Sequence, residues 1–213
     1  MERWATFDCY GTLIDWNAGI GRELERLFGA DAATALLRRY HELEPEVQRE
    51  RPARTYREVM AVTLARLGAP PAEQDALARS LPAWEPFPEV PASLEAVRAR
   101  GYRLAVLSNT DRDLLEASLA RIGVPFELSI VASEIGSYKP ARRHWDEFFA
   151  RSGASPERHV HVAASLFHDV APAVALGLRT VWINRLGEEP EPQPDIELHS
   201  LEGLAEALEE LVS

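Results

Sequence analysis

The sequence is poor in cysteine, in long apolar runs and in positive charge, and each shortage excludes a class of protein. One cysteine, Cys9, among 213 residues excludes an internal disulfide and a site built from several thiolates. No run approaches the roughly 18 apolar residues of a membrane span, and the first residues lack the basic start and apolar stretch of a signal peptide. We therefore expect a cytoplasmic protein with no membrane partner.

The charge balance argues against nucleic acid as a partner. Lys and Arg total 23 against 34 Asp and Glu, which gives a net charge of −11 at pH 7, and such a surface repels a phosphate backbone. Hydrophobic residues make up 46% and charged residues 27% of the chain, as in ordinary globular proteins. We expect a folded protein with a real core that does not bind nucleic acid.

Short apolar runs alternate with amphipathic stretches over most of the chain. The runs predict five strands, at residues 4–8, 103–108, 127–131, 159–164 and 180–183. Glycines stand where the helices between them should end, as at Gly101 and Gly123. Parallel neighbours need a crossover that a helix supplies, so the alternation predicts an α/β fold with a doubly wound, parallel, Rossmann-like core.

Residues 14–91 break this alternation, because they show no strand pattern and their apolar residues keep helical spacing. Helices are predicted at 32–43, 56–67 and 72–81, and prolines between 82 and 91 predict an extended return to the core. We predict an all-helical cap at 14–91 inserted into a core of 1–13 and 92–213. Near the end of the chain, acids and prolines in 187–195 predict a solvated loop before a final amphipathic helix.

Polar residues follow four of the predicted strands. Asp8 ends the first strand, Ser108 and Asn109 end the second, Lys139 follows the third and Asp169 follows the fourth. Ligands of parallel α/β sheets bind outside the carboxyl ends of the strands, so these side chains should share one site. A carboxylate can act as a nucleophile when a nearby ammonium keeps it ionised, and Lys139 would do this for Asp8.

In their order along the chain, the segments FDCYGT, SNT, YKP and the late Asp169 resemble the signature of the haloacid dehalogenase superfamily, over essentially the whole chain. The phosphatases of that superfamily carry an Asp where this chain has Tyr10, and a phenol with an ordinary pKa of about 10 is a poor acid–base group near neutral pH. They also hold Mg²⁺ with an acidic segment that here reads Ala163-Ala164. We therefore expect no metal and no cofactor.

The segment from Phe7 to Leu13 is most similar to the type II L-2-haloacid dehalogenases, which have Tyr at this position. The resemblance implies that Asp8 attacks the halogen-bearing carbon, that halide leaves, and that water hydrolyses the resulting ester. Lys139 would orient and ionise Asp8, and Asp169 would activate the water. It also implies a small-molecule substrate and a homodimer.

The same resemblance assigns the substrate-binding residues, which are Tyr10, Thr12, Ser108, Asn109, Ser165 and, in the cap, Arg39. Thr12 and Ser108 would hold the substrate or the nucleophile, and Asn109 would help to hold the halide. The family has a cap arginine that binds the departing halide ahead of a Leu-Glu pair, and Arg39 has that spacing from Leu43-Glu44, with Arg38 beside it.

Departures from the family pattern leave alternatives open. Trp145 stands where the family has Tyr, and the segment before Asp169 lacks the family's Ser and Asn, with Ser165 as one remaining hydroxyl. His159 and His161 share a strand face, but no third ligand is in view, so we predict no metal there. A Mg²⁺-dependent phosphatase of small phosphorylated metabolites and a non-catalytic small-molecule-binding protein of the same fold are the two alternatives.

Overall fold

The computed structural model of the protein describes residues 2–212, and its centre is a single parallel sheet. The six strands are β1 (Arg3–Phe7), β2 (Tyr102–Ser108), β3 (Leu128–Val131), β4 (His159–Ala163), β5 (Arg179–Ile183) and β6 (Ile196–Leu198). They lie in the order β3-β2-β1-β4-β5-β6, and every neighbouring pair is parallel. The predicted doubly wound α/β fold is confirmed.

Ten α-helices accompany the sheet within residues 2–212. They are α1 (Trp16–Phe28), α2 (Ala30–Glu50), α3 (Tyr56–Arg66), α4 (Ala76–Ser80), α5 (Val90–Ala99), α6 (Arg112–Ile122), α7 (Ala132–Ile135), α8 (Arg143–Ser152), α9 (Ala171–Ala175) and α10 (Leu204–Leu211). None of these helices combines the length and apolar content that crossing a bilayer requires.

Both faces of the sheet are buried, because successive strand residues point to opposite sides. Phe7 and Val106 belong to one hydrophobic cluster, while Trp4 and Leu107 belong to a second cluster on the other side. Helices cover both faces, as the near-continuous apolar strands require.

Helices α1 to α4 occupy the stretch in which we predicted the cap. Local sequence sets where two of them begin: the Asp15 carboxylate accepts a hydrogen bond from Ala18 N at 2.9 Å, and Thr55 with Glu58 forms a capping box at the start of α3. The predicted domain boundaries at 13/14 and 91/92 stay a prediction. Helices α1 to α4 are called the cap.

Three elements of the structure differ from the prediction. Helix α2 continues seven residues beyond the predicted end at Leu43, through Pro45, because its buried face continues at Val47 and Gln48. The predicted helix 72–81 is divided into a short 3₁₀ turn, Pro71–Glu73, and α4. Strand β6 was missed, since three residues beside an acidic, proline-rich loop give too short a pattern to recognise.

Two segments connect the cap to the core, and they run side by side. Asp15 N donates to Glu85 O at 3.0 Å, and Phe87 N donates to Leu13 O at 3.0 Å. Prolines do not keep the second segment extended throughout, because Pro91 lies in the first turn of α5, where its missing N–H breaks no helical hydrogen bond.

A third connection joins the core to the beginning of α3. The buried carboxylate of Asp111, which follows β2, accepts hydrogen bonds from Tyr56 N at 2.9 Å and Arg57 N at 3.1 Å. These amides are among the unpaired donors of a helix N-terminus, where the helix dipole also favours a negative charge. The contact holds the cap over the carboxyl edge of the sheet.

Candidate active site

The carboxyl edge of the sheet and the cap enclose a cavity of about 710 Å³. It lies where the strand order reverses, between β1 and β4, which is where ligands of doubly wound sheets bind. Asp8, Ser108, Lys139 and Asp169 all line it. The structure therefore brings together the four residues that were predicted to share one site.

Lys139 connects the two carboxylates. Its ammonium donates to Asp8 Oδ1 at 2.8 Å, to Asp169 Oδ1 at 2.5 Å and to the carbonyl oxygen of Leu107 at 2.8 Å. An ammonium has three hydrogens, so its bonding capacity is filled. The side chain is 1% exposed, so solvent does not screen these contacts.

The three charges shift one another's protonation equilibria. Burial raises the pKa of Asp8 above its ordinary value, and Lys139 opposes this. Burial likewise raises the pKa of Asp169, again against Lys139. Burial alone would lower the pKa of Lys139, but the two carboxylates outweigh it and hold that pKa above its ordinary value. The ammonium therefore stays protonated near neutral pH.

The second oxygen of Asp8 is held by Thr12. Thr12 Oγ1 donates to Asp8 Oδ2 at 2.9 Å and accepts from Ala164 N at 2.9 Å. The turn that carries Thr12 back beside Asp8 passes through Gly11 at a φ of 90°, a conformation that favours glycine. Both oxygens of Asp8 are therefore fixed in direction by neighbours on different elements.

Asp169 has one occupied and one free oxygen. Its Oδ1 is bonded by Lys139 and by His161 Nε2, which lies 3.0 Å away. Its Oδ2 is buried and has no hydrogen-bond partner among residues 2–212. Asp169 lines the cavity, and a fixed carboxylate with a free oxygen can accept a proton from a water molecule there.

A buried hydrogen-bond chain supports Asp169 from behind. Thr6 Oγ1 lies 2.8 Å from His161 Nδ1 and 2.7 Å from His159 Nε2. Burial and the nearby Lys139 lower the pKa of His161 to about 3, so the ring is neutral and its Nε2–H donates to Asp169. The two histidines share a strand face, as predicted, and they bind a threonine.

Ser108 and Asn109 differ in the hydrogen-bonding groups that remain unpaired for a ligand. Ser108 Oγ is buried without a partner among the described residues. The amide of Asn109 is occupied by the backbone of Lys139, accepting from Lys139 N at 2.6 Å and donating to Lys139 O at 3.0 Å. Asn109 therefore fixes the Lys139 loop, while Ser108 keeps a free hydroxyl in the cavity.

Comparisons with known proteins identify the family of the chain. A family model described as haloacid dehalogenase-like hydrolase matches residues 3–177. The (S)-2-haloacid dehalogenase of Pseudomonas sp. strain YL is 30% identical, over 95% of this chain and 93% of that protein. The chain belongs to the haloacid dehalogenase-like hydrolase family.

Relatives in this family include enzymes of two kinds. A crystal structure of an L-2-haloacid dehalogenase superposes with a TM-score of 0.87 at 25% identity, covering 98% of this chain and 99% of that one. A phosphoserine phosphatase of Thermus thermophilus is 35% identical, but the match covers 57% of this chain and only 51% of the phosphatase.

Side chains of this haloacid dehalogenase-like hydrolase do not fit the Mg²⁺ site of the phosphatase alternative. Lys139 occupies one oxygen of each of Asp8 and Asp169, and Thr12 occupies the other oxygen of Asp8. Only Asp169 Oδ2 of these four oxygens is left without a partner among the described residues, which is too few for a hard cation. Among residues 2–212, no three His, Cys, Asp or Glu side chains converge in a way that could hold a metal ion.

Tyr10 lines the cavity as a neutral phenol. Its hydroxyl lies 3.0 Å from Ser118 Oγ, and its ring stacks on Tyr56 at 6.3 Å between centroids. Burial raises its pKa well above the ordinary value. Tyr10 can therefore shape the cavity, but it cannot exchange protons near neutral pH.

Ser165 lines the cavity and orients its neighbour. Its Oγ accepts from His168 N at 3.0 Å and lies 3.2 Å from His168 Nδ1. Burial lowers the pKa of His168, whose Nε2 is buried without a partner among the described residues. Trp145 does not line the cavity; it packs behind the sheet, with its ring 5.3 Å from that of His161.

Arg39 requires a correction, because the structure does not place it in the cavity. Its side chain is 53% exposed and pairs with Glu42 at 2.7 Å, and Arg38 is exposed as well. The cavity face of α2 carries His41, and a residue two positions earlier lies roughly 200° around a helix of 3.6 residues per turn. The spacing from Leu43-Glu44 identifies a position on α2, but the helix presents its other face to the cavity.

Two features of the cavity were missed at the level of sequence. Arg185 lies after β5 and donates to Thr12 O at 2.9 Å and to Glu89 Oε1 at 2.7 Å. On the cap side, His41, Glu44 and Gln48 line the cavity at helical spacing. The i, i+3, i+7 pattern of polar residues on α2 was the signal that could have found them.

Proposed function

We propose that the protein is a 2-haloacid dehalogenase that converts a 2-haloacid and water into a 2-hydroxyacid, halide and a proton. The observation that carries this proposal is the pairing of two differently held carboxylates in one cavity. Asp8 has both oxygens oriented by Lys139 and Thr12, whereas Asp169 keeps Oδ2 free. One suits attack on carbon and the other suits deprotonation of water.

In the first step, a carboxylate oxygen of Asp8 attacks the halogen-bearing carbon. A carbon–oxygen bond forms, the carbon–halogen bond breaks, and the halide leaves with the electron pair. Burial raises the pKa of Asp8, and Lys139 opposes this and so favours the ionised nucleophile. Ser108 Oγ, free in the cavity, would donate to the substrate carboxylate.

In the second step, water hydrolyses the aspartyl ester. Asp169 Oδ2 takes a proton from water as the water oxygen attacks the carboxyl carbon of Asp8. The bond between that carbon and the ester oxygen, which came from Asp8, then breaks, and this oxygen takes the second proton of the water as the hydroxyacid departs. Asp8 is regenerated with an oxygen from water, and the proton on Asp169 passes to solvent.

The test compares halide release from 2-haloacids in EDTA with phosphate release from phosphate esters in Mg²⁺. Asp8→Asn removes the nucleophile, and Asp31→Asn, an exposed carboxylate at the start of α2, is the matched control. We expect halide release that survives EDTA, is kept in Asp31→Asn and is lost in Asp8→Asn.

Two other results would replace the proposal. Phosphate release that requires Mg²⁺ would favour the phosphatase alternative, to which the phosphoserine phosphatase among the relatives points. Ligand binding without any product would favour a non-catalytic binding protein.

A cytoplasmic location and a homodimer are also part of the proposal. Cys9 is buried and unpaired, which suits a reducing compartment. The dimer rests on the similarity to dehalogenases. Sedimentation equilibrium of the pure protein measures the oligomeric state directly, and a monomer at all concentrations would remove that part.

A further inference from the structure

Four polar side chains of the cap line the cavity, beside Trp16, Pro45 and Tyr56. His41, Glu44 and Gln48 of α2 and Asn17 of α1 all line it. These four residues are called the cap wall. The catalytic steps proposed above use none of them.

The cap wall has more hydrogen-bonding capacity than the protein fills. Asn17 Oδ1 and His41 Nε2 are buried without partners among residues 2–212. Gln48 lines the cavity beside them and is 6% exposed. An unpaired buried polar group is unfavourable, so the free atoms of Asn17 and His41 are better explained by a ligand that bonds them.

Glu44 is held in place while one oxygen stays available. Its Oε1 accepts from Tyr56 OH at 2.8 Å and from Tyr40 OH at 3.3 Å, and Trp16 Nε1 supports Tyr56 at 3.3 Å. Burial raises the pKa of Glu44 to about 7, against the two phenols that lower it. Near neutral pH the carboxyl group therefore exists in both forms, and it can donate or accept.

The mixture of donors and acceptors defines the ligand group that fits. A second carboxylate on the ligand would be repelled by the ionised form of Glu44, and the two cations that line the cavity, Lys139 and Arg185, are already in ion pairs with other carboxylates. A halide cannot donate to Asn17 Oδ1. A carboxamide or a hydroxyl group both donates and accepts, so it can pair with members of this set of either kind.

The volume of the cavity leaves room for such a group. About 710 Å³ lies within the range of roughly 300–1,000 Å³ that is typical of pockets for drug-sized ligands. A three-carbon haloacid has only about six heavy atoms and would leave most of this space unused.

We propose that the cap wall recognises an uncharged carboxamide or hydroxyl group at the far end of an extended 2-haloacid, with Gln48 and Asn17 as its specificity-determining residues. This rests on the proposed dehalogenase function for the reacting end of the substrate. Recognition of the far end does not depend on turnover and can be measured without it.

The first experiment measures binding of halogen-free acids to the wild-type protein by titration calorimetry. The probes are 4-carbamoylbutanoate, 5-methylhexanoate, in which an isopropyl group replaces the carboxamide, and glutarate, in which a carboxylate replaces it. We expect 4-carbamoylbutanoate to bind about ten-fold more tightly than either analogue, since one well-made hydrogen bond is worth about 1.4 kcal/mol. Equal or tighter binding of 5-methylhexanoate would overturn the proposal.

The second experiment assigns the preference to the cap wall. Gln48→Leu should reduce the preference for the carboxamide to less than about three-fold, and Gln74→Leu, outside the cavity, should retain it. A preference that is unchanged in Gln48→Leu would overturn the assignment. The wild-type comparison of probes needs no variant, so it decides the proposal even if Gln48→Leu does not fold.

Halide release separates this inference from the proposed function. If 2-chloropropionate and the 2-chloro derivative of 4-carbamoylbutanoate both release chloride, the latter should have the higher kcat/KM. If neither releases chloride but the binding preference is present, the cap wall stands and the dehalogenase function fails. If 2-chloropropionate is turned over but no probe is preferred, the dehalogenase function stands and recognition by the cap wall fails.

Discussion

The ammonium of Lys139 lies 2.8 Å from Asp8 Oδ1 and 2.5 Å from Asp169 Oδ1, so a single cation serves both acids of the cavity. Lys139 is the only lysine in the chain, since the other basic residues among the 23 are all arginine. A compact ammonium fits between two carboxylates and a carbonyl, whereas a planar guanidinium does not make this three-way contact.

Removing that cation should destabilise the fold as well as stop turnover. Lys139→Met leaves two buried carboxylates unpaired, and breaking a buried ion pair costs about 3–5 kcal/mol. Urea unfolding at pH 7 measures the loss. The double variant Asp8→Asn with Lys139→Met should lose less than the sum of the single variants, because one uncompensated charge is gone. Additive losses would mean that the two residues are not coupled.

The chain behind Asp169 should act on ester hydrolysis and not on the first displacement. His161→Phe removes the donor to Asp169 Oδ1 but leaves Asp8 and its partners unchanged. We expect a rapid release of about one halide per enzyme followed by slow turnover, because the ester accumulates. His159→Phe should have a weaker effect of the same kind, since that ring reaches Asp169 only through Thr6 and His161. A parallel loss of both phases in His161→Phe would point to a purely structural role.

Sequence patterns predicted the sheet and the convergence of Asp8, Lys139 and Asp169 because strand ends in a parallel sheet meet at one edge. They did not predict the cap side of the cavity. The face that a helix presents depends on how the cap packs on the core, and Asp111 fixes that packing from a distant part of the chain. Arg39 was placed by spacing within α2 alone, which carries no information on that rotation.

Arg39 is therefore expected to be dispensable. Arg39 is exposed, and among the described residues its one ion pair is with Glu42. Such surface ion pairs contribute about 0–1 kcal/mol to the free energy of unfolding. Arg39→Ala should keep kcat/KM for 2-chloropropionate within about two-fold of wild type, as should Arg38→Ala beside it. A loss of more than ten-fold confined to Arg39→Ala would show that the cap turns to bring this residue to the halide.

Glu44 should make the protein less stable as the pH rises. The pKa of Glu44 is raised from 4.5 to about 7 by burial, so the folded state binds this proton more tightly than the unfolded state. The contribution is fully present below pH 4.5 and is lost as the pH rises through about 7; it amounts to about 3 kcal/mol. Urea unfolding between pH 5 and 8 should show a shallower decline in Glu44→Gln.

The control for this pH dependence is Glu46→Gln, an exposed carboxylate on the same helix. Its decline should match that of the wild type. The raised pKa values of Asp8 and Asp169 act in the same direction and persist in both variants, so the difference between the curves belongs to Glu44. Identical curves for wild type and Glu44→Gln would contradict the assignment.

The most direct test of the account follows the oxygen atoms. Enzyme in excess over 2-chloropropionate is allowed one turnover in ¹⁸O-labelled water with EDTA, and the product and the peptide that contains Asp8 are analysed by mass spectrometry. An aspartyl ester opened at the carboxyl carbon predicts an unlabelled hydroxyl group in the product and one ¹⁸O in Asp8. A labelled product with unlabelled Asp8 would show that water displaces the halide directly, and the central role of Asp8 as nucleophile would be wrong.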